Sequence, residues 1–172
     1  MVKKIFPILI FGVIVATIGF AAPLVSADVD TNRTDMIRAN CHAAQSTMQT
    51  VSRNETVVRI NRGRAYDQIL KLMHTFNARL AANNKSAPKL DEITADFEKE
   101  INKFRSSYND YEDSINGAIK TNCASQPVAF YEGLVEARLR RSVLNARIKA
   151  MDGLLDHYYT VLEQVLPSGD NQ

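Results

Sequence analysis

Residues 90–119 of the chain read LDEITADFEKEINKFRSSYNDYEDSINGAI. Within them Leu90, Ile93, Phe97, Ile101, Phe104, Tyr108, Tyr111, Ile115 and Ile119 recur at steps of three or four. That spacing puts all nine on one face of an α-helix, whereas a strand would alternate by two. The other face carries Asp91, Glu92, Asp96, Lys99, Glu100, Lys103, Arg105 and Asp110, residues expected to face water. An apolar stripe of about eight turns cannot stay dry alone, so the flanking segments must supply partner helices.

Both flanks have matching stripes. On the N-terminal side a helix is predicted from about 34 to 82. One seam runs Ile37, Ala44, Val51, Val58, Ala65, Leu72 and a second runs Cys41, Met48, Glu55, Arg62, Ile69, Phe76. Register held over six heptads points to bundle or coiled-coil packing. The run Thr56, Val57, Val58, Ile60 and then Gly63 is poor in helix propensity, and a kink is expected there. Asn83 to Pro88 forms a break, with Asn suited to the helix end, Ser86 to a cap and Pro88 to a first helical turn. The central helix then covers about 88–121. A second break, Asn122 to Pro127 with Ser125 as a cap, leads to a third helix over about 127–166. Its stripe is Phe130, Leu134, Ala137, Arg141, Leu144, Ile148, Met151, Leu155, Tyr158, Leu162 and Val165. Pro167-Ser168-Gly169 stops it, and 167–172 reads as a flexible tail. Short turns make neighbours antiparallel. The fold class is all-α: an elongated, coiled-coil-like antiparallel three-helix bundle over 28–166.

Residues 1–27 read as a signal peptide, with an uncleaved membrane anchor as the competing reading. Lys3 and Lys4 precede the uncharged stretch 5–22, Pro23 breaks it, and Val25-Ser26-Ala27 offers small residues for cleavage. Lys3 and Lys4 would stay cytoplasmic, so an extracytoplasmic location is expected for the rest. The whole chain carries 21 basic and 19 acidic residues, and loss of those two lysines leaves the mature part neutral. A neutral domain argues against nucleic acid as partner, since phosphate neutralisation needs a basic surface.

Cys41 and Cys123 both lie in the exported part, where an isolated pair is most simply a disulfide. It would close a loop of about eighty residues, worth ~4 kcal/mol in the chain-entropy model. An up-down-up register centred near Lys85 sets Cys123 level with Thr47 and Met48 instead, ~10 Å away along the first helix. The bond therefore requires either that 121–127 reach down or that the first helix bend.

Three charges lie on apolar stripes: Glu55, Arg62 and Arg141. The register brings them to one height, near Tyr108 and Tyr111. A buried polar layer that fixes register is one reading, and long side chains escaping at the seam edge is the other. His42, His74 and His157 have no metal-ligand spacing, and no phosphate loop or nucleophile elbow is present. No cofactor or metal is expected, and no catalytic constellation supports an enzyme.

The series Cys41, Lys99-Glu100-Ile101-Asn102-Lys103-Phe104, Tyr108, Tyr111, Cys123, Phe130, Leu134, Glu136-Ala137-Arg138, Arg147 and Tyr158 resembles a group of uncharacterised exported helical proteins from small-genome candidate-phylum bacteria. The resemblance covers about residues 40–165 and implies export and a two-cysteine helical bundle, with no activity attached. The Arg62-Gly63-Arg64 break departs from that pattern and puts a straight bundle in doubt. Two functions are expected to compete: an envelope spacer or adaptor, and a holdase for unfolded exported chains. Tyr131, Val135 and Leu139, off the main stripe of the third helix, are the candidate partner surface. They would serve equally for a homodimer.

Overall fold

A computed structural model describes residues 31–166. The expected signal and tail lie outside them. Three antiparallel helices follow in order: α1 (Thr31–Ala82), α2 (Pro88–Lys120) and α3 (Pro127–Val165). The bounds agree with the sequence expectation to within three residues. No described helix is long and apolar enough to cross a membrane.

The central element is α2. Its stripe from Leu90 to Ile115 is buried at every predicted position, and Ile119 is half-buried. It also buries Thr94, Glu100, Ser107 and Ala118, because a helix with neighbours on two sides is covered over a wider arc than one stripe. Glu100 is thus a correction: expected in water, it is 6 % exposed. Tyr66, Phe97, Phe104, Tyr108 and Tyr111 form an edge-to-face series with centroids 5.3–6.2 Å apart. Such pairs add to what their buried area contributes. Against α3 the approach is tight where Gly133 meets Ala118, since a Cβ on Gly133 would stand 3.0 Å from the alanine Cβ.

In α1 the buried row is not the predicted one throughout. It steps by seven from Cys41 through Met48 and the half-buried Glu55 and Arg62, then by four to Tyr66, then by seven through Met73 to Leu80. A helix with 3.6 residues per turn falls ~20° behind a seven-residue repeat at each heptad, and a four-residue step restores the register. The other predicted seam is half-buried at Ile37, Ala44 and Val51 but exposed at Val58, Ala65 and Leu72. Leu72 is 68 % exposed.

α1 stays helical through 56–63 despite the poor propensity of that stretch. Side chains of the β-branched stretch are used by α2: Thr56 Oγ1 lies 3.3 Å from Glu112, and Arg59 pairs with Glu112 at 2.9 Å. Docking outweighs propensity. Nothing packs where a Gly63 Cβ would stand. Gly63→Ala is therefore expected to stabilise the protein by about 0.5–1 kcal/mol, read as a higher urea midpoint at unchanged slope. A lower midpoint would mean that glycine is needed there.

The first turn closes as a Schellman motif. Asn84 takes a left-handed conformation (φ 57°), Lys85 N–H donates to Leu80 O and Asn84 N–H to Ala81 O. Neither Ser86 nor Ser125 caps a helix as expected; Ala87 and Gln126 hold those positions without a side-chain bond. In the second turn the polar groups come from Asn122, whose Oδ1 accepts from the N–H groups of Ala124 and Ser125.

Cys41 and Cys123 are joined, Cα atoms 5.6 Å apart. The register conflict is resolved by the turn. Gln45 Nε2 donates to Thr121 O, while Arg38 Nε donates to Ala124 O. Three residues of the turn thus descend past seven of α1. The chain leaves the helical path at Thr121, which is extended (φ −69°, ψ 126°), and then closes a turn over 123–125 in which Gln126 N–H donates to Asn122 O.

Candidate functional site

The predicted mid-bundle layer is partly assembled. Tyr108 Oη donates to the Glu55 carboxylate at 2.7 Å and lies 2.5 Å from the Glu55 carbonyl. Arg141 Nη2 pairs with the same carboxylate at 3.3 Å. Glu55 therefore joins Tyr108 and Arg141 across all three helices, with Tyr108 buried and Arg141 exposed at the edge of the seam. Tyr111 is buried beside them, its ring edge-on to Tyr108, with no hydrogen bond to Glu55. Arg62 is not a member: among the described residues it has no ion pair and sits half-buried one heptad further along. Arg59, which the sequence reading passed over, takes its place by pairing with Glu112 and lying 5.8 Å from the Tyr108 ring centre. An i,i+4 step from Glu55 was the available signal.

Two more polar nodes were missed. Asn77 is buried and donates to Asp91 at 2.9 Å and to Thr94 at 3.0 Å, while Tyr158 Oη donates to its Oδ1 at 2.7 Å. Glu100 accepts from Lys103 at 3.0 Å and Arg147 at 3.3 Å. Asn77 stands on the buried row only after the four-residue step in α1, so a strict heptad reading hides it.

Burial is the main reason why the Tyr66, Tyr108, Tyr111 and Tyr158 hydroxyls are pushed above the usual tyrosine value of 10.0; at Tyr108 the bond to Glu55 adds to it. The folded state then holds these protons at a pH where the unfolded chain has lost them. Stability is full below pH 10 and falls as pH rises toward the folded values, by up to about 1.4 kcal/mol per pH unit for each tyrosine. Melting temperature is expected to drop steeply between pH 10 and 11, and less steeply in Tyr108→Phe. Equal slopes in the two proteins would refute the assignment.

The helices do not close evenly. The α2 backbone runs closest along α3 and less closely along α1, while α1 and α3 meet mainly through side chains such as Glu55 with Arg141 and Asn77 with Tyr158. A groove is left between α1 and α3, in three pockets. The lower one, about 350 Å³, has Ala44, Met48 and Val51 on one wall, Leu134 on the other, and Tyr111 and Ile115 of α2 as floor. The upper one, about 270 Å³, lies among Ile69, Leu72, Phe76, Leu155, Tyr159 and Leu162. Between them the lining turns polar at Asn61, Arg62 and Asp152.

The predicted partner surface is divided. Val135 and Leu139 are exposed, at 46 % and 57 %. Tyr131 is half-buried, with the Arg33 guanidinium 4.6 Å from its ring centre. The groove, a larger apolar feature, was not foreseen, because it depends on how α1 and α3 sit over α2.

Among the described residues no cluster of three or more His, Cys, Asp or Glu side chains is placed to hold a metal. The polar groups on the bundle's inner faces are tied up in contacts between helices, while the groove offers apolar surface between basic edges. Comparison with protein-family models, with curated proteins and with solved structures finds no match to this chain.

Proposed function

We propose that this is an exported, non-enzymatic protein of the cell envelope that serves as a spacer or adaptor, using the α1–α3 groove to hold a protein partner. The open groove is the observation that carries the reading. α1 and α3 cover the apolar face of α2 and leave apolar side chains of their own lining the open space between them. A monomer needing no partner would gain by closing that space. Export is supported by the composition of residues 1–27 and by the disulfide, which suits an oxidising compartment. The resemblance to exported two-cysteine helical proteins agrees with it. The length of α1, 52 residues or ~78 Å at 1.5 Å each, suits a spacer.

A second reading, a holdase for unfolded exported chains, rests on the same apolar lining. The two differ in how many chains are bound. A photo-reactive residue at Leu72, inside the groove, is compared with one at Val57, exposed on another side of α1. Crosslinking in native envelope should give one dominant adduct from Leu72, in near-equal amount, and little from Val57. Many unrelated adducts from Leu72 would replace the adaptor by the holdase. Fractionation tests the address: a reduced protein found only in the cytoplasm would overturn export.

A further inference from the structure

We propose that the groove takes one amphipathic helix of a partner protein, with its apolar residues in two blocks and carboxylates along its edges. This rests on the adaptor reading and specifies the partner. Three observations point to it.

The first is shape. Two parallel helices, α1 and α3, flank α2, which runs antiparallel to both, and leave the fourth position of a four-helix bundle; the occupant that fits between two such helical walls is another helix. The second is the pattern of the lining. The apolar pockets around Met48 and Met73 are 25 residues apart on α1, or ~37 Å, with a polar belt at Arg62 and Asp152 between them. A docked helix would need two apolar blocks at that separation. The third is charge. The three pockets are lined by Arg62, Arg79, Arg138 and Arg141 against one carboxylate, Asp152. Arg141 is shared with Glu55, which leaves a basic excess along the edges.

A second copy of the chain is a poor match for such a site. Its exposed apolar row Val135, Leu139 and Val143 is bordered by Glu132, Arg138 and the Arg140–Glu136 pair, and its Val57–Ile60 pair by Arg53 and Arg64 at four-residue steps. Neither face carries carboxylates along both edges to match the basic edges of the groove.

The test uses two synthetic helices of about 36 residues. Both carry the two leucine blocks and one tryptophan, and they differ only in having glutamate or lysine along the edges. The protein has no tryptophan, so peptide fluorescence reports binding directly. The glutamate-edged peptide is expected to bind the disulfide-bonded protein at least ~10-fold tighter at low salt, with the difference shrinking at high salt. Leu72→Glu should weaken it by a similar factor and Val57→Glu should not; both positions are exposed, so neither change threatens the fold. Arg79→Glu with Arg138→Glu should reverse the preference. Failure of both peptides to bind, or insensitivity to Leu72→Glu, overturns the proposed site. Equal binding of both peptides, with a permanently unfolded carboxymethylated protein bound as well, overturns the adaptor reading in favour of a holdase. A preference for the lysine-edged peptide overturns only the acidic partner. A concentration-dependent dimer abolished by Leu72→Glu would assign the groove to a second copy instead.

Discussion

Reduction of the Cys41–Cys123 bond, or its removal by Cys41→Ala with Cys123→Ala, is expected to lower stability by up to about 4.5 kcal/mol. The bond joins residues 82 apart in sequence, and in the chain-entropy model a loop of that length constrains the unfolded chain by about this amount. The loss should be uneven. Below Glu55, α1 is held by two buried side chains, Cys41 and Met48, by half-buried Ile37, Ala44 and Val51, and by Gln45 and Arg38 reaching the second turn. Above it Tyr66, Met73, Asn77 and Leu80 are all buried. Without the bond, residues 31–50 should open before the rest, as a unit of low local stability. Hydrogen exchange with and without reductant measures this. Unchanged protection over 31–50, together with an unchanged urea midpoint, would show that the bond is dispensable.

The second large effect is expected at Asn77. Asn77→Leu should cost about 3 kcal/mol, because it removes bonds to three residues and strands the Tyr158 hydroxyl. The remaining partner of that hydroxyl is Met73 O at 3.4 Å, a poor bond, while Thr94 keeps Leu90 O at 2.7 Å. Asp91 is at the surface and finds water. Most of the penalty is therefore the buried phenol, and Tyr158→Phe in the same chain should recover much of it, since removing both partners of a buried bond costs less than removing one. A double-mutant cycle in urea reads the coupling. Simple additivity of the two changes would mean that Asn77 and Tyr158 do not act as a pair in solution.

These two sites differ in how far the sequence revealed them. The cysteines were visible as a pair, and so was the difficulty in joining them; the missing knowledge was how the chain leaves α2 at Thr121 and turns over 123–125. For Asn77 there was no signal, because its burial depends on the four-residue step in α1. The same step moved Leu72 from the predicted seam to the surface. Around Glu55 the sequence offered a charge on an apolar stripe, and the structure chose its partners: Tyr108 and Arg141, with Arg62 left out and Arg59 brought in. Long side chains on one helix reach several heights on the next, so stripe position alone does not decide which pair forms.

By itself the sequence determined three helices, their ends to within three residues, and the identity of α2 as the central one. These follow from periodicity and from the breakers at Asn83–Pro88 and Asn122–Pro127, which act over a few residues and need no knowledge of neighbours. Tertiary structure alone decided which arc of α1 is buried, how the disulfide is reached, and that α1 and α3 stand apart with a basic-edged groove between them. Each depends on the rotation and separation of one helix against another. That geometry is a balance of packing over the whole length of the bundle, and no local stretch of the chain encodes it.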